Sequence, residues 1–590
     1  MAGDPSTPAP TGSRLALTVL VTLVVLSPWP FGSAHLRTTQ AIALVSLATA
    51  LAAFLWDGAH GRLLLPSRAI LWPLLGLWAL AVFQLIPLPQ SFHHWIAPGS
   101  AAIWHPDMPA ASAVLGPGPH PISLYPEATR RWLAFATGVL ALALAAAPAL
   151  RERRLLLRAS IAIVAGAVLV AVYGFVARLA FGDKLFGIWS VPTVAPFGPF
   201  VSKNHFAGYV ELAALLAVGL ATGLTDEARR GSGWLGWIES RRSEWVVVAW
   251  GAAFVLVLAV PVSLSRGGVV SLCAGLLVFG ALRLWTRGPS RLSPRGFAVS
   301  FAMTLLAAAA VAALLPAEAR SRVLTLAGVT SDQSGSYRIG VWRDTLRLIA
   351  SSPAVGSGFG AYADALPRFK TAAGHLGIEH AENDHLEFLA EGGFVGALLA
   401  GVSVLVLFFY GLNGVRTKEH RLARALLAAA LAGGIAVYVH SAFDFNLRIP
   451  SNALMGALLA AVCATCTLGA RGPAPVEGKG ITSWSGLLVL AGSLLIALLS
   501  PWSEPRWDPA ALARAASSPH ADLRRSSLES EVTALLRRRP GQAAAWVDLA
   551  WLRLPKSPEE ASALARWGVT LDPQHQELAR AAAPLRESAR

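Results

Sequence analysis

The chain has 590 residues, of which 54% are hydrophobic and only 14% charged, and its mean hydropathy is +0.53. Length alone would suggest several soluble domains; this composition excludes them and points to a chain that is mostly embedded in a bilayer. The formal charge of +15 does not mark a nucleic-acid binder, because the basic residues form no basic domain and lie mainly in short connections between apolar runs.

A polar, Pro-rich stretch at 1–14 reads as a disordered cytoplasmic N-terminus. Apolar runs then recur, each near the roughly 20 residues that cross a hydrocarbon core as a helix, and about thirteen spans are predicted. The first, Leu15 to Phe31, is expected to be an uncleaved helix rather than a signal peptide, because so many spans follow it. Next come Ala41 to Leu55, Ala69 to Leu88, Trp132 to Ala147, Ala159 to Val176, Phe206 to Leu224 and Trp245 to Val262. Gly268 to Leu282, Phe297 to Leu315, Gly393 to Phe409, Ala425 to Ala442, Asn452 to Leu468 and Trp484 to Leu499 complete the set. No alternation of polarity suggests a barrel. The fold class is therefore all-α, a polytopic transmembrane bundle of about 12–13 spans. Cys463 and Cys466, in one of the spans, read as small packing residues, and three cysteines give no disulfide framework.

Arginine distribution sets the expected sidedness. Arg151, Arg153, Arg154 and Arg158 share one connection, Arg229, Arg230, Arg241 and Arg242 the next, then Arg283, Arg287, Arg291 and Arg295, then Arg416, Lys418, Arg421 and Arg424. The opposite connection from Pro89 to Thr129 has no Lys or Arg. A cytoplasmic N-terminus then places Ala177 to His205, Ser263 to Gly267, the long loop 316–392, Asp444 to Ser451 and the tail on the outer face. After Pro501 the composition turns polar and helix-forming, so 502–590 is expected to be a small soluble helical domain. Ala543 to Leu552 and Ala561 to Pro573 read as amphipathic helices resembling a tetratricopeptide unit, which would offer a surface to a protein partner, or equally as a short helical hairpin leaning on the membrane domain.

The residues suited to chemistry fall on the outer side. Arg266, in Ser263-Leu264-Ser265-Arg266-Gly267-Gly268, sits between two spans with almost no loop to hold it in water, where an arginine is costly and functional by default. Its glycines would let backbone approach a ligand, and its guanidinium can hold phosphate oxygens through two parallel hydrogen bonds. In Ser336-Tyr337-Arg338-Ile339-Gly340-Val341-Trp342-Arg343-Asp344, a helical stretch puts Arg343 and Arg347 on one face with Arg338 about one and a half turns before. Together with Arg266 these are expected to make a cationic pocket; surface pairing with Asp344 is the competing reading. At His380-Ala381-Glu382-Asn383-Asp384-His385-Leu386-Glu387, imidazoles and carboxylates crowd where the chain re-enters the membrane, so His380, Glu382 or His385 can take a proton from a hydroxyl. No Asp-x-Asp pair occurs, and no metal or other cofactor is expected.

These pieces resemble the O-antigen ligase and polymerase family: the Ser-Arg-Gly-Gly stretch, the Arg338-to-Arg343 spacing with Trp342, the turn Pro353 to Gly360, and the segment from Glu382 to Gly393. Lys203-Asn204-His205-Phe206-Ala207-Gly208 and His440-Ser441-Ala442-Phe443-Asp444-Phe445-Asn446-Leu447 resemble family segments too. The resemblance implies a type-C glycosyltransferase domain at 15–501 in the bacterial inner membrane. It would take a glycan from undecaprenyl pyrophosphate and invert at the anomeric carbon without a metal. It implies pyrophosphate held by Arg266, Arg338 and Arg343, with Lys203 and His205 assisting, and a base in the re-entry segment. Ligases of the family begin that segment with histidine about eleven positions before the glycine; counting back from Gly393 gives Glu382, so a glutamate stands in the base position here. The acceptor, whether lipid A core, another glycan as in a polymerase, or a protein, is left open. A multi-pass transporter is the rival from another class.

Overall fold

The computed structural model describes residues 8–182, 184–190, 196–228, 241–287, 333–371, 374, 376–468, 481–503 and 521–587. In chain order the helices begin with α1 (Thr11–Leu26), α2 (Leu36–Ala59) and α3 (Arg68–Phe83). Three short ones follow, α4 (Gln90–Ile96), α5 (Pro98–Trp104) and α6 (Pro109–Leu115), then α7 (Pro126–Ala146), α8 (Arg153–Phe181) and α9 (Lys203–Ala228). A small antiparallel hairpin, β1 (Lys184–Leu185) with β2 (Trp189–Ser190), separates α8 from α9. Next are α10 (Arg241–Val262), α11 (Arg266–Arg287), α12 (Gln333–Ser351), the single turn α13 (Tyr362–Ala365), α14 (Asp384–Thr417), α15 (Arg421–His440), α16 (Pro450–Ala464) and α17 (Ile481–Leu499). The last four are α18 (Ala521–Leu536), α19 (Ala543–Arg553), α20 (Pro558–Leu571) and α21 (Gln576–Glu587).

The protein is all-α and polytopic. Among the described residues seven helices are long and apolar enough to cross a membrane: α2, α8, α9, α10, α11, α14 and α15. The shorter apolar helices α1, α3, α16 and most of α17 occupy other expected spans, and α7 occupies the one expected at 132–147. The span expected at 297–315, and the arginines at 229, 230, 291 and 295, lie outside the described residues.

The chain forms two compact units. The first comprises Met1–Trp72, Phe135–Gly328 and Val402–Leu495. Its centre is α9, the most enclosed of the seven spans, packed by α10, α11 and α15. Lipid tails are as apolar as leucine, so these helices associate through small residues that let backbones approach. A Cβ added to Gly219 of α9 would stand 2.5 Å from that of Ala429, and one on Gly275 of α11 3.1 Å from that of Ala436. Large apolar side chains such as Leu169, Val248, Leu277 and Phe409 point away from the core, a surface suited to lipid.

The second unit comprises Pro73–Ala134, Val329–Gly401 and Ile496–Arg590. Its main core joins Trp104, Val114, Val341, Tyr362, Trp546 and Leu564. The tail helices thus share a core with the 89–129 and 333–390 segments, and the unit extends well beyond the soluble domain expected at 502–590. The short helices α5 and α6 begin at Pro98 and Pro109, where the missing N–H has no helical partner to lose.

Candidate active site

The second unit gathers three of the six family-like segments around one backbone crossing. The turn after α12 and the elbow inside α14 run hand in hand: Ser357 N donates to Ala390 O (3.0 Å), Gly358 N to Glu391 O (3.1 Å), Phe394 N to Pro353 O (2.8 Å) and Val395 N to Ala354 O (3.1 Å). Two left-handed glycines permit it. Gly356 has φ +70° and Gly393 φ +62°; a Cβ on Gly356 would stand 2.3 Å from Glu391 O, and one on Gly393 2.3 Å from Ala354 O. The Gly393 kink divides α14 into a short first part and the membrane span. Gln84, fully buried at the end of α3, ties the crossing together. Its Nε2 donates to Val355 O (2.7 Å) and Glu391 O (2.8 Å), and its Oε1 accepts from Phe359 N (3.1 Å).

The acid–base residues sit just ahead of that elbow. Asn383 caps α14, its Oδ1 accepting from Leu386 N at 3.1 Å. Glu387, buried one turn later, turns back: one oxygen lies 2.9 Å from His380 Nδ1 and the other accepts from Ala381 N at 2.8 Å. Between these fixed points Glu382 adopts φ +53°, a left-handed conformation costly for a side chain of this size and concentrated at functional sites. Its carboxylate meets Arg338 Nη2 at 3.1 Å, with the two side chains 26% and 27% exposed. His385, the second residue of α14, is half-buried.

Helix α12 presents the arginines differently from one another. Arg347 is bound to Asp344 (3.0 Å) and Thr371 (3.3 Å), so the expected surface pairing applies to it. Arg343 is exposed and has no hydrogen-bond or ion-pair partner among the described residues. Burial, and after it the Glu382 carboxylate, push the Tyr337 phenol up, against the opposing effect of Arg338. Arg338, Glu382 and Tyr337 therefore form one electrostatic group, with Arg343 about one and a half turns along.

The remaining expected residues belong to the first unit. Arg266 opens α11 and is half-buried. Before it, Leu264 is left-handed (φ +62°) and Ser265 Oγ caps the helix by accepting from Gly268 N at 3.2 Å. The two glycines lie against protein: a Cβ on Gly267 would stand 3.1 Å from His440 Cδ2, and one on Gly268 2.7 Å from that of Ala207. They allow close packing of α11 on α9 and on the end of α15. Lys203 is the first residue of α9. His205 is buried, 3.5 Å from Asp444 Oδ1 and edge-on to Phe445, so it braces the 440–452 segment. Sequence reading missed Gln84 and the Glu211–His440 pair, whose Nδ1 lies 3.0 Å from both carboxylate oxygens. A lone carboxylate within an apolar span was the signal for Glu211, and a lone amide between Phe83 and Leu85 the signal for Gln84.

The crossing, the Arg338–Glu382 group and the Arg266 turn all lie within residues 251–401, which match the family model described as O-antigen ligase. The chain carries an O-antigen ligase family domain. No curated protein matches the chain, and the tetratricopeptide likeness of the tail is not borne out. At family level the match supports a membrane protein of the glycan-transferring ligase and polymerase type.

Proposed function

We propose that the protein transfers a glycan from undecaprenyl pyrophosphate to an acceptor hydroxyl at the periplasmic face of the bacterial inner membrane, with inversion and without a metal. The observation that carries this reading is the Arg338–Glu382 pair at 3.1 Å beside the exposed Arg343. About a quarter of each side chain in the pair is open to solvent, so a pyrophosphate arriving at Arg343 can reach Arg338 and compete with its carboxylate. That exchange does two things at once. It places guanidinium groups where charge grows on the leaving pyrophosphate as its bond to the anomeric carbon breaks. It also removes one cation from Glu382, whose carboxylate takes the proton of the acceptor hydroxyl as that oxygen attacks from the opposite face. Arg266, Lys203 and His205 keep the donor-binding roles implied by the family resemblance, and the acceptor is a lipid A core, a growing glycan or a protein.

A second reading of the base has its own support: Glu387 holds His380 Nδ1, which orients Nε2 to accept a proton in the manner of a carboxylate–histidine pair. Purified protein with undecaprenyl-pyrophosphate glycan and each acceptor class, assayed for lipid pyrophosphate release, separates the two. Glu382→Gln should lower kcat by about 10²–10⁴-fold with donor KM little changed, and Arg338→Ala or Arg266→Ala should raise donor KM. Full kcat in Glu382→Gln with loss in His380→Gln moves the base to His380. Wild-type protein that moves substrate across vesicles and releases no lipid pyrophosphate is a transporter, and the proposal fails.

A further inference from the structure

The tail lies outside the matched residues 251–401, yet it grips the same unit through its most desolvated charges. Asp364 of α13, its side chain 1% exposed, receives Arg539 Nε (3.1 Å) and Nη2 (2.9 Å) as a fork, and Gln542 Nε2 at 2.7 Å. The backbones close in as well, since a Cβ on Gly541 would stand 2.2 Å from Asp364 O. The Arg539 guanidinium also lies 4.0 Å over the Tyr125 ring. A few residues on, Lys370, also buried, meets Asp572 at 2.8 Å. Breaking either pair strands a buried charge, so both fix the geometry of the segment between them more than they add stability.

That segment in turn holds the arginine helix. Tyr362 Oη and Thr345 Oγ1 of α12 are 2.7 Å apart, and the Asp344 carboxylate of α12 accepts from Thr371 N and Oγ1, each at 2.6 Å. Tyr362 N also donates to Glu391 at the elbow (3.3 Å). Asp344 and Thr345 adjoin Arg343, and Arg338 lies about two turns before.

From these contacts we propose that the tail is an intramolecular clamp, in which Arg539 and Asp364 are positioning residues that set Arg338 and Arg343 for the pyrophosphate of the donor. The inference rests on the transferase reading above, and its test separates the two.

Full-length protein in nanodiscs is titrated with undecaprenyl pyrophosphate, followed by tryptophan fluorescence, and donor and acceptor KM are measured in the transfer assay. Arg539→Ala should weaken lipid pyrophosphate binding and raise donor KM about tenfold, with acceptor KM within about twofold of wild type. Arg539→Lys, which keeps the charge without the fork, should recover part of that loss. Added to Arg338→Ala and Arg343→Ala together, Arg539→Ala should weaken binding no further, because the clamp acts through those two residues. Should Arg539→Ala fail to reach the membrane, Gln542→Ala carries the same test, with about a threefold rise in donor KM expected and an unchanged donor KM refuting the clamp. Donor KM unchanged in Arg539→Ala, or a further loss when Arg539→Ala is added to the Arg338→Ala, Arg343→Ala variant, would overturn the clamp while leaving the transferase reading intact. Wild-type protein that neither binds the lipid pyrophosphate nor transfers glycan would overturn the transferase reading, and the clamp's role with it.

Discussion

Replacing Gln84 by leucine tests whether the crossing of the 353–360 turn with the α14 elbow is what places the re-entry segment. The side chain is fully buried and makes hydrogen bonds to Val355 O, Glu391 O and Phe359 N. Glu391 O keeps Gly358 N as a second donor, whereas Val355 O and Phe359 N have no other partner among the described residues. Leucine fills similar space and leaves those two groups buried and unpaired, at about 1–3 kcal/mol each, so the expected loss is about 2–6 kcal/mol. In a unit of this size that lowers the unfolding temperature by roughly 5–20 °C, readable by thermal scanning in detergent. The Gln84→Glu variant should be worse than Gln84→Leu, because a carboxylate offers no proton to two carbonyl oxygens. Transfer should fall in the same order as stability. A Gln84→Glu variant as stable and active as wild type refutes the stapling role.

Gly393→Ala should be more damaging than any ordinary helix substitution, since it combines φ +62° with a Cβ 2.3 Å from Ala354 O; expression and transfer should both collapse, while Gly401→Ala, where a Cβ meets nothing within 4 Å, should be silent in both assays. The 89–129 segment should be acid-sensitive. His93 and His105 have ring centroids 5.4 Å apart, and His105 and His120 5.0 Å. Burial first, and then neighbouring imidazoles, hold His93 down to about 3 and His105 to about 4, and burial lowers His120. Folded values below the ordinary ~6.5 mean that the unfolded chain binds more protons, so the stabilisation is complete above about pH 6.5 and drains away as pH falls through 4 and 3. His93→Gln with His105→Gln should flatten the fall in unfolding temperature between pH 7 and 4.5; an unchanged slope would show that the cluster is not its cause.

Much of the fold was legible because a bilayer imposes one rule, an apolar helix of fixed length, that composition alone reveals. Legibility was poorer where apolar residues pack against protein. The 89–129 stretch reads as a connection, yet Ile103, Trp104, Val114 and Leu115 bury α5 and α6 in the second unit's core. The tail's amphipathic helices were visible, but the surface they cover was not, because Asp364 is about 175 residues from Arg539 and no local period encodes such a contact. At the site, spacing put Arg343 and Arg347 on one face, and only the fold shows that Asp344 and Thr371 claim the second and leave the first exposed. Glycines were the most ambiguous signal. Those at 356 and 393 admit a backbone crossing, while those at 267 and 268 admit neighbouring side chains, and in sequence the two uses look alike.

The Glu211–His440 pair bears on the choice between transferase and transporter. An ionisable pair inside membrane-spanning helices is a default marker of a solute or proton path, and a path needs space that a substrate or water can enter. Here both Glu211 oxygens lie 3.0 Å from His440 Nδ1, both side chains are buried, and the far edge of the imidazole is covered by Gly267, where even a methyl group would come within 3.1 Å. His205, Asn446 and Asn452 close the same side of α9: Asn452 Nδ2 donates to His205 O (3.0 Å) and to Asn446 Oδ1 (2.9 Å), and Gly208 lies against both asparagines. Packing this close is what a structural brace requires. It fixes the end of α15 against the Ser265–Gly268 cap, and so the residue between them, Arg266, starts its helix from a rigid base, as the donor-binding role proposed for it requires.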